Sequence, residues 1–233
     1  MVETIFTIGH STRPIDEFIH LLHAHGVKRI IDVRTIAKSR HNPQFGEDLL
    51  GPSLAAQDIG YQRLEILGGL RHTDPHSING AWRNASFRGY ADYMQTDAFA
   101  AGIAELIELG RHESVAIMCA EAVPWRCHRS LIGDALLVRD IRVLDIMSEK
   151  DPRPHSITRF AHVDGLQVTY PKDADQPEVA AEPEKKAGVK KKAGTKKKPA
   201  ADKKTAGADK KTGTRKNAGT TQISKTDEGS HNP

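Results

Sequence analysis

The sequence predicts a single α/β domain, three layers around a mostly parallel sheet, followed by a disordered basic tail. Three observations predict it. Short β-rich apolar runs alternate with segments of helical period from Thr4 to Met147. One run, Val115-Ala116-Ile117-Met118, is continuously apolar, as a strand covered on both faces requires. Every aromatic residue of the 233 lies at or before Tyr170, so the remainder lacks the material of a core.

Thr4 to Ile8 reads as a first strand, ended by Gly9-His10-Ser11. Pro14 then opens a helix with Ile15, Phe18, Ile19 and Leu22 at the 3.6-residue period. Ser11 or Thr12 is placed to cap its start, and Gly26 to end it. Arg29 to Val33 reads as a second strand. A loop, Arg34 to Gly46, leads to helix over Glu47 to Asp58. Tyr61 to Leu67 reads as a third strand, stopped by Gly68-Gly69. Arg71 to Ser86 is a polar segment of 16 residues, long enough to predict function or mobility. One helical pattern then runs from Arg88 to Leu109. After the apolar fourth strand, Pro124 suits a first helical turn, and Cys127, Leu131, Ala135 and Val138 share a face of the helix that follows. Val143 to Met147 closes the set. Right-handed crossovers then build one parallel sheet.

The domain assignment that results is 1–150 as the α/β domain, 151–170 as a poorly defined extension, and 171–233 as a lysine-rich tail. The net charge of +4 divides accordingly. From Pro171 onward 15 Lys and one Arg oppose nine acids, a net of +7; residues 1–170 carry −3. Between Lys185 and Lys216 the net reaches +12, in a composition that resembles linker-histone tails. Such a stretch does not fold alone, and it binds DNA or RNA phosphates without regard to sequence. Its lack of aromatics argues against base stacking. No apolar run approaches the roughly 18 residues of a membrane span. Met1-Val2-Glu3-Thr4 has no secretory character. With only Cys119 and Cys127, the chain is no disulfide scaffold, and a cytoplasmic location, near the nucleoid if the tail finds DNA, is the expectation.

Ligands of open α/β sheets bind beyond the carboxyl ends of the strands. Those ends deliver His10 and Ser11, then Asp32 and Arg34, then Gly68 and Gly69, then Cys119 and Glu121, then Cys127, His128 and Arg129. Cys119, Glu121, Cys127, His128 and His10 are the candidate catalytic groups. Ser11, Asp32, Arg34, Gly68, Gly69 and Arg129 are the candidate substrate-binding groups.

The string Met118-Cys119-Ala120-Glu121, then Pro124, then Cys127-His128-Arg129, resembles the signature of the bacterial and archaeal family catalogued as domain of unknown function 488. Ile8-Gly9-His10-Ser11, Asp32-Val33-Arg34 and Gly68-Gly69 fit the same family. The resemblance covers about residues 3 to 148. It implies a fold and a site, and no settled reaction.

Each residue carries two readings. Cys119 is either a buried packing group or a reactive one. Cys127, placed in a first helical turn between Arg126 and Arg129, is favoured as thiolate or serves in packing. Glu121 is a general acid or base, or a helix-terminal charge. His10 and His128 shuttle protons or bond to carbonyls. Asp32 and Arg34 form a structural pair or hold a ligand. The Cys-x7-Cys-His spacing matches no usual zinc pattern, and adjacent helical residues diverge by about 100°. No metal is therefore assigned, and a redox disulfide stays open. No P-loop or dinucleotide fingerprint occurs, and the Cys119 to Arg126 segment lacks the glycines of a phosphatase loop.

Arg34, Lys38, Arg40 and His41, then Arg71, His72, His76, Arg83 and Arg88, form with Arg126 and Arg129 a basic rim at the same sheet edge. That rim suggests an anionic, phosphate-bearing small molecule or nucleic acid in the cleft. Two classes of function follow. One is an enzyme acting on such a ligand. The other is a binding module held on nucleic acid by its tail. No cofactor is assigned.

Overall fold

The structure, a computed structural model, describes residues 3–172. The chain divides into two units at Pro183/Glu184, and all described residues belong to the first. The expected disordered tail, 171–233, lies outside the described residues apart from Pro171 and Lys172.

Six strands form one sheet: β1 (Thr4–Gly9), β2 (Arg29–Asp32), β3 (Gly60–Arg63), β4 (Val115–Cys119), β5 (Arg142–Ile146) and β6 (Arg153–Pro154). Their order is β3-β2-β4-β1-β5-β6. Every pairing is parallel except that of β5 with β6. A separate hairpin joins β7 (His162–Asp164) to β8 (Gln167–Thr169).

Five helices cover the two faces: α1 (Ile15–Ala24), α2 (Glu47–Ala55), α3 (Ala85–Tyr93), α4 (Asp97–His112) and α5 (Arg129–Leu137). Phe18 and Leu22 of α1 and Leu50 and Leu54 of α2 pack with Ile8, Ile30, Ala116 and Met118. Tyr90 of α3, Ile103 of α4 and Leu131 of α5 pack with Ile5, Ile31, Val115 and Ile117. The strand alternation explains the split, since successive side chains of β4 point to opposite faces. The domain is therefore three-layered, with a mostly parallel sheet buried on both faces.

Several boundaries differ from the sequence reading. The third strand ends at Arg63, and Glu65–Leu67 is a 3₁₀ turn. The helical pattern over 88–109 belongs to two helices, because Asn84 and Thr96 each cap one with a side-chain oxygen. The start of α1 carries no side-chain cap: Pro14 holds the cap position. Ser11 instead turns the chain at φ 50° and donates its N–H to the Ala120 carbonyl at 2.9 Å. Gly26, at φ +66°, ends α1 as expected.

The extension 151–170 is not loosely defined. It supplies β6, β7 and β8, and its Tyr170 is fully buried. The segment 71–86 is irregular yet pinned. Asp92 accepts hydrogen bonds from the Asp74 amide, Ser77 and Asn79, and Asn79 accepts one from the Tyr170 amide. Among the described residues, no helix is long and apolar enough to cross a membrane.

Candidate functional site

β1 and β4 are neighbours whose following helices cover opposite faces: α1 follows β1, and α5 follows β4. Their carboxyl ends thus form the switch point at which open α/β sheets bind ligands. Gly9 faces Cys119 in the register, and the next N–H, that of His10, donates to the Cys119 carbonyl at 3.0 Å. A side chain at Gly9 has no room: a Cβ would stand 1.7 Å from the Glu121 carbonyl oxygen. The close approach needs glycine.

The sheet separates the candidate residues into two clusters. On the α1/α2 side, Arg34 grips Asp32 with Nε at 2.8 Å and Nη2 at 2.5 Å, both groups buried. Tyr61 donates its hydroxyl to the same carboxylate at 2.7 Å. His10 stacks on Phe45, ring centroids 4.3 Å apart. Its Nδ1 lies 2.8 Å from the Ser11 carbonyl and its Nε2 3.3 Å from Arg34 Nη1. A carbonyl needs a donor and a guanidinium an acceptor, so Nδ1 carries the proton and the ring is neutral. Burial, with Arg34 and Arg129 nearby, accordingly lowers its pKa to about 4.

On the α5 side stand the cysteines. They are paired as a disulfide, and Cys119 and Cys127 are the only cysteines of the chain. Cys127 does not lie in a helical first turn. Pro124–Arg126 is a 3₁₀ turn, Cys127 is extended, and α5 starts only at Arg129. The helix end still serves it, because the Arg129 N–H points at Cys127 Sγ from 3.5 Å. His128 also departs from the 100° divergence of regular helix: its Nδ1 lies 3.5 Å from Cys127 Sγ. Its Nε2 donates to the Val33 carbonyl at 3.0 Å, which leaves Nδ1 as the lone-pair nitrogen. Burial, reinforced by Arg129 and Arg71, lowers the His128 pKa to about 4.

Arg129 is the deepest charge of this cluster, 1% exposed. It donates to Cys119 Sγ at 3.0 Å, to Thr7 Oγ1 at 3.1 Å and to the Glu121 carbonyl at 2.7 Å. None of these is a carboxylate. The nearest one in the chain of bonds is Asp145, reached through Thr7, which donates to it at 2.7 Å. Burial brings the guanidinium pKa down to about 10. Asp145 in turn lies 3.5 Å from His155, which also bonds to Asp134 at 3.0 Å. Burial alone would favour neutral His155, but the two carboxylates outweigh it and raise its pKa to about 9. Sequence reasoning missed Thr7, Asp145 and His155. The signal for Asp145 was there, an acid inside an apolar strand.

A cleft of about 400 Å³ opens over this second cluster, lined by Cys119, Glu121, Arg126, Cys127, His128 and Arg34 with apolar walls from Ile36, Leu70 and Phe87. Gly69 lines it too, and His128 occupies the space a side chain there would need. Gly68 stands against Thr35 and serves the turn rather than the cleft. His10, Asp32 and Ser11 do not line it. Much of the expected basic rim is engaged internally. Arg71 bonds the Gly68 and Ile66 carbonyls and lies over Tyr93. Arg88 bonds the Trp82 carbonyl. Of the lining cations, Arg126 is the exposed one. Among the described residues, no group of three or more His, Cys, Asp or Glu is placed to hold a metal ion.

Fold and site together define an α/β domain with a cysteine pair at the switch point of a parallel sheet. Residues 14–136, more than half of the chain, match the family model described as domain of unknown function DUF488, and the chain belongs to that family. The matched stretch contains the Cys119–Arg129 site but not Gly9-His10. No curated protein and no solved structure gives a significant match.

Proposed function

We propose that the cleft is the active site of an enzyme that holds an anionic, phosphate-bearing ligand, a nucleotide or nucleic acid, and works on it with its cysteines. One observation carries the reading. A buried guanidinium with no carboxylate of its own donates to Cys119 Sγ at the floor of the cleft. A guanidinium so placed favours the thiolate, the nucleophilic form. Arg126 at the rim is the ligand-facing cation, with Arg34 behind it. Glu121 is the carboxylate exposed to the cleft and takes the acid/base role. His10, with both nitrogens engaged, positions Arg34 rather than moving protons. Ser11 and Gly68 shape the walls, and Asp32 holds Arg34. A cytoplasmic setting keeps the pair reduced between turnovers.

The experiment is a panel of phosphate, nucleotides and oligonucleotides against the full chain, read as thermal shift and turnover. Wild type gains stability with at least one member, and Arg126→Gln loses that gain. Turnover falls in Cys119→Ser, Cys127→Ser and Glu121→Gln. No shift and no turnover across the panel overturns the reading.

A second reading rests on the tail, whose net +12 over 32 residues fits non-specific phosphate binding. Here the protein is a nucleic-acid-associated module tethered by that segment. DNA affinity then falls with salt and with deletion of 173–233. Unchanged affinity on deletion sinks it.

A further inference from the structure

We propose that Cys119 and Cys127 are a redox dithiol whose substrate is an anionic disulfide. The proposal rests on the reading of the cleft as an active site and names the bond that is broken there. Four observations carry it. The two sulfurs face each other, and the chain holds no third cysteine to compete. Arg129 bonds Cys119 Sγ from a buried position without a carboxylate partner. A buried cation is costly unless paired, so when the disulfide is reduced the Cys119 thiolate is its natural counter-ion. His128 turns its unprotonated Nδ1 to Cys127 Sγ, with its other nitrogen fixed on Val33. Finally, both cysteines line a cleft with apolar walls and one exposed cation, Arg126.

The two cysteines thus differ in role. Cys119, charge-paired with Arg129, attacks. Its thiolate forms a bond to one sulfur of the substrate disulfide and expels the other as thiolate. Cys127 resolves. Its proton passes to His128 Nδ1, its sulfur attacks Cys119 Sγ, and the second substrate sulfur leaves as thiolate. That thiolate takes the proton back from His128. The substrate gains two electrons and becomes two thiols, one of them ionised, and the protein is left with the Cys119–Cys127 disulfide. A small thiol reductant restores the pair, two such thiols becoming one disulfide. The Cα atoms of the pair stand 7.7 Å apart, wider than the roughly 4.4–6.8 Å of most disulfides. Apolar walls with Arg126 at the rim select a disulfide with apolar arms that end in carboxylate or phosphate.

The test uses the full chain, reduced and desalted, mixed with dithiobis(nitrobenzoate), an aromatic disulfide that carries carboxylates. Wild type releases two nitrothiobenzoates per chain and ends two hydrogens lighter than the reduced protein, without an adduct. Cys127→Ser releases one and keeps a stable mixed disulfide on Cys119. Cys119→Ser reacts about tenfold more slowly. Arg126→Gln slows the wild-type reaction about three- to tenfold with this probe and leaves neutral hydroxyethyl disulfide unaffected. Two stable adducts on wild type, or equal rates in the two cysteine variants, overturn the proposal. Nucleotide thermal shifts report separately on the phosphate-ligand reading. A nucleotide shift alongside two adducts removes the dithiol and leaves that reading standing. An internal disulfide without any nucleotide shift does the reverse.

Discussion

The imidazole of His128 lies against the bare backbone of Gly69, so close that a Cβ at Gly69 would stand 2.6 Å from Nδ1 and 2.9 Å from Cε1. The ring reaches Cys127 only because position 69 has no side chain. Gly69→Ala is therefore expected to push His128 off its bond to the Val33 carbonyl. Reactivity of Cys127 toward a small alkylating agent, in the reduced protein, falls several-fold. Stability falls by about 1–3 kcal/mol, the usual cost of overpacking. Peptide mapping of the alkylated protein reads the first effect and urea denaturation the second. Full Cys127 reactivity in a folded Gly69→Ala protein would falsify the role given to His128.

The Asp32–Arg34 pair gives a sharper number. Arg34 is 6% exposed and Asp32 fully buried, and Asp32 also accepts from Tyr61. Asp32→Ala strands a buried cation, which costs about 3–5 kcal/mol. Tyr61→Phe removes one hydrogen bond to a charged acceptor and costs about 1–3 kcal/mol. Denaturation midpoints should rank wild type, Tyr61→Phe, Asp32→Ala in falling order. Equal losses would mean that the carboxylate is not the centre of this cluster.

Histidines set the pH range of the fold. His10 and His128 have pKa values near 4 in the native state, below the unfolded value of 6.5. The unfolded chain thus binds more protons between 6.5 and 4, and the stability present above 6.5 is lost as pH falls through 4. His155 has the opposite sign. Its native pKa of about 9 exceeds 6.5, so its contribution is complete below 6.5 and disappears as pH rises through 9. Melting temperature should peak near pH 6.5. His155→Gln should lower that peak and flatten its alkaline side, while the acid side persists. An unchanged alkaline slope would remove His155 from the account.

What the sequence made legible follows from what is local. The continuous apolarity of Val115 to Met118 and the 3.6 period of α1 need no distant partner, and both elements stand where the pattern puts them. The return of Asp32, Cys119 and Cys127 to one sheet edge also follows from strand–helix alternation. Their separation onto two faces was implicit in the alternation of side chains, but only β-pairing register fixes which face each takes. The Thr7–Asp145 hydrogen bond spans 138 residues. No spacing rule reaches that far. Pro124 suits a first helical turn, which predicts helix at Cys127; a 3₁₀ turn satisfies that proline equally well and moves the start of α5 to Arg129. Strands of two or three residues such as β6, β7 and β8 are too short to show a period.

Those short strands complete the described body. Tyr170 is fully buried, donates its hydroxyl to Asp134 at 2.8 Å and its N–H to the Asn79 side-chain oxygen at 2.9 Å, and accepts the Ala81 N–H at its carbonyl. Val168 offers its carbonyl to Gln95 at 2.9 Å. His155, from the same segment, holds Asp134 and Asp145, and Asp145 accepts the Thr7 hydroxyl that supports Arg129. A chain cut after residue 150 thus loses a core aromatic and leaves two buried carboxylates, Asp134 and Asp145, without their cation. Removing a buried Tyr alone costs about 3–5 kcal/mol, and an unpaired buried charge costs a similar amount. Together these approach the entire stability of an ordinary domain. A protein ending at 150 should therefore be insoluble, or bind a hydrophobic dye and melt without a cooperative transition. One ending at 172 should melt within a few degrees of the full chain. If the shorter protein melts cooperatively near the full-length temperature, residues 151–170 decorate the domain instead of completing it, and the path from His155 to Cys119 carries no weight.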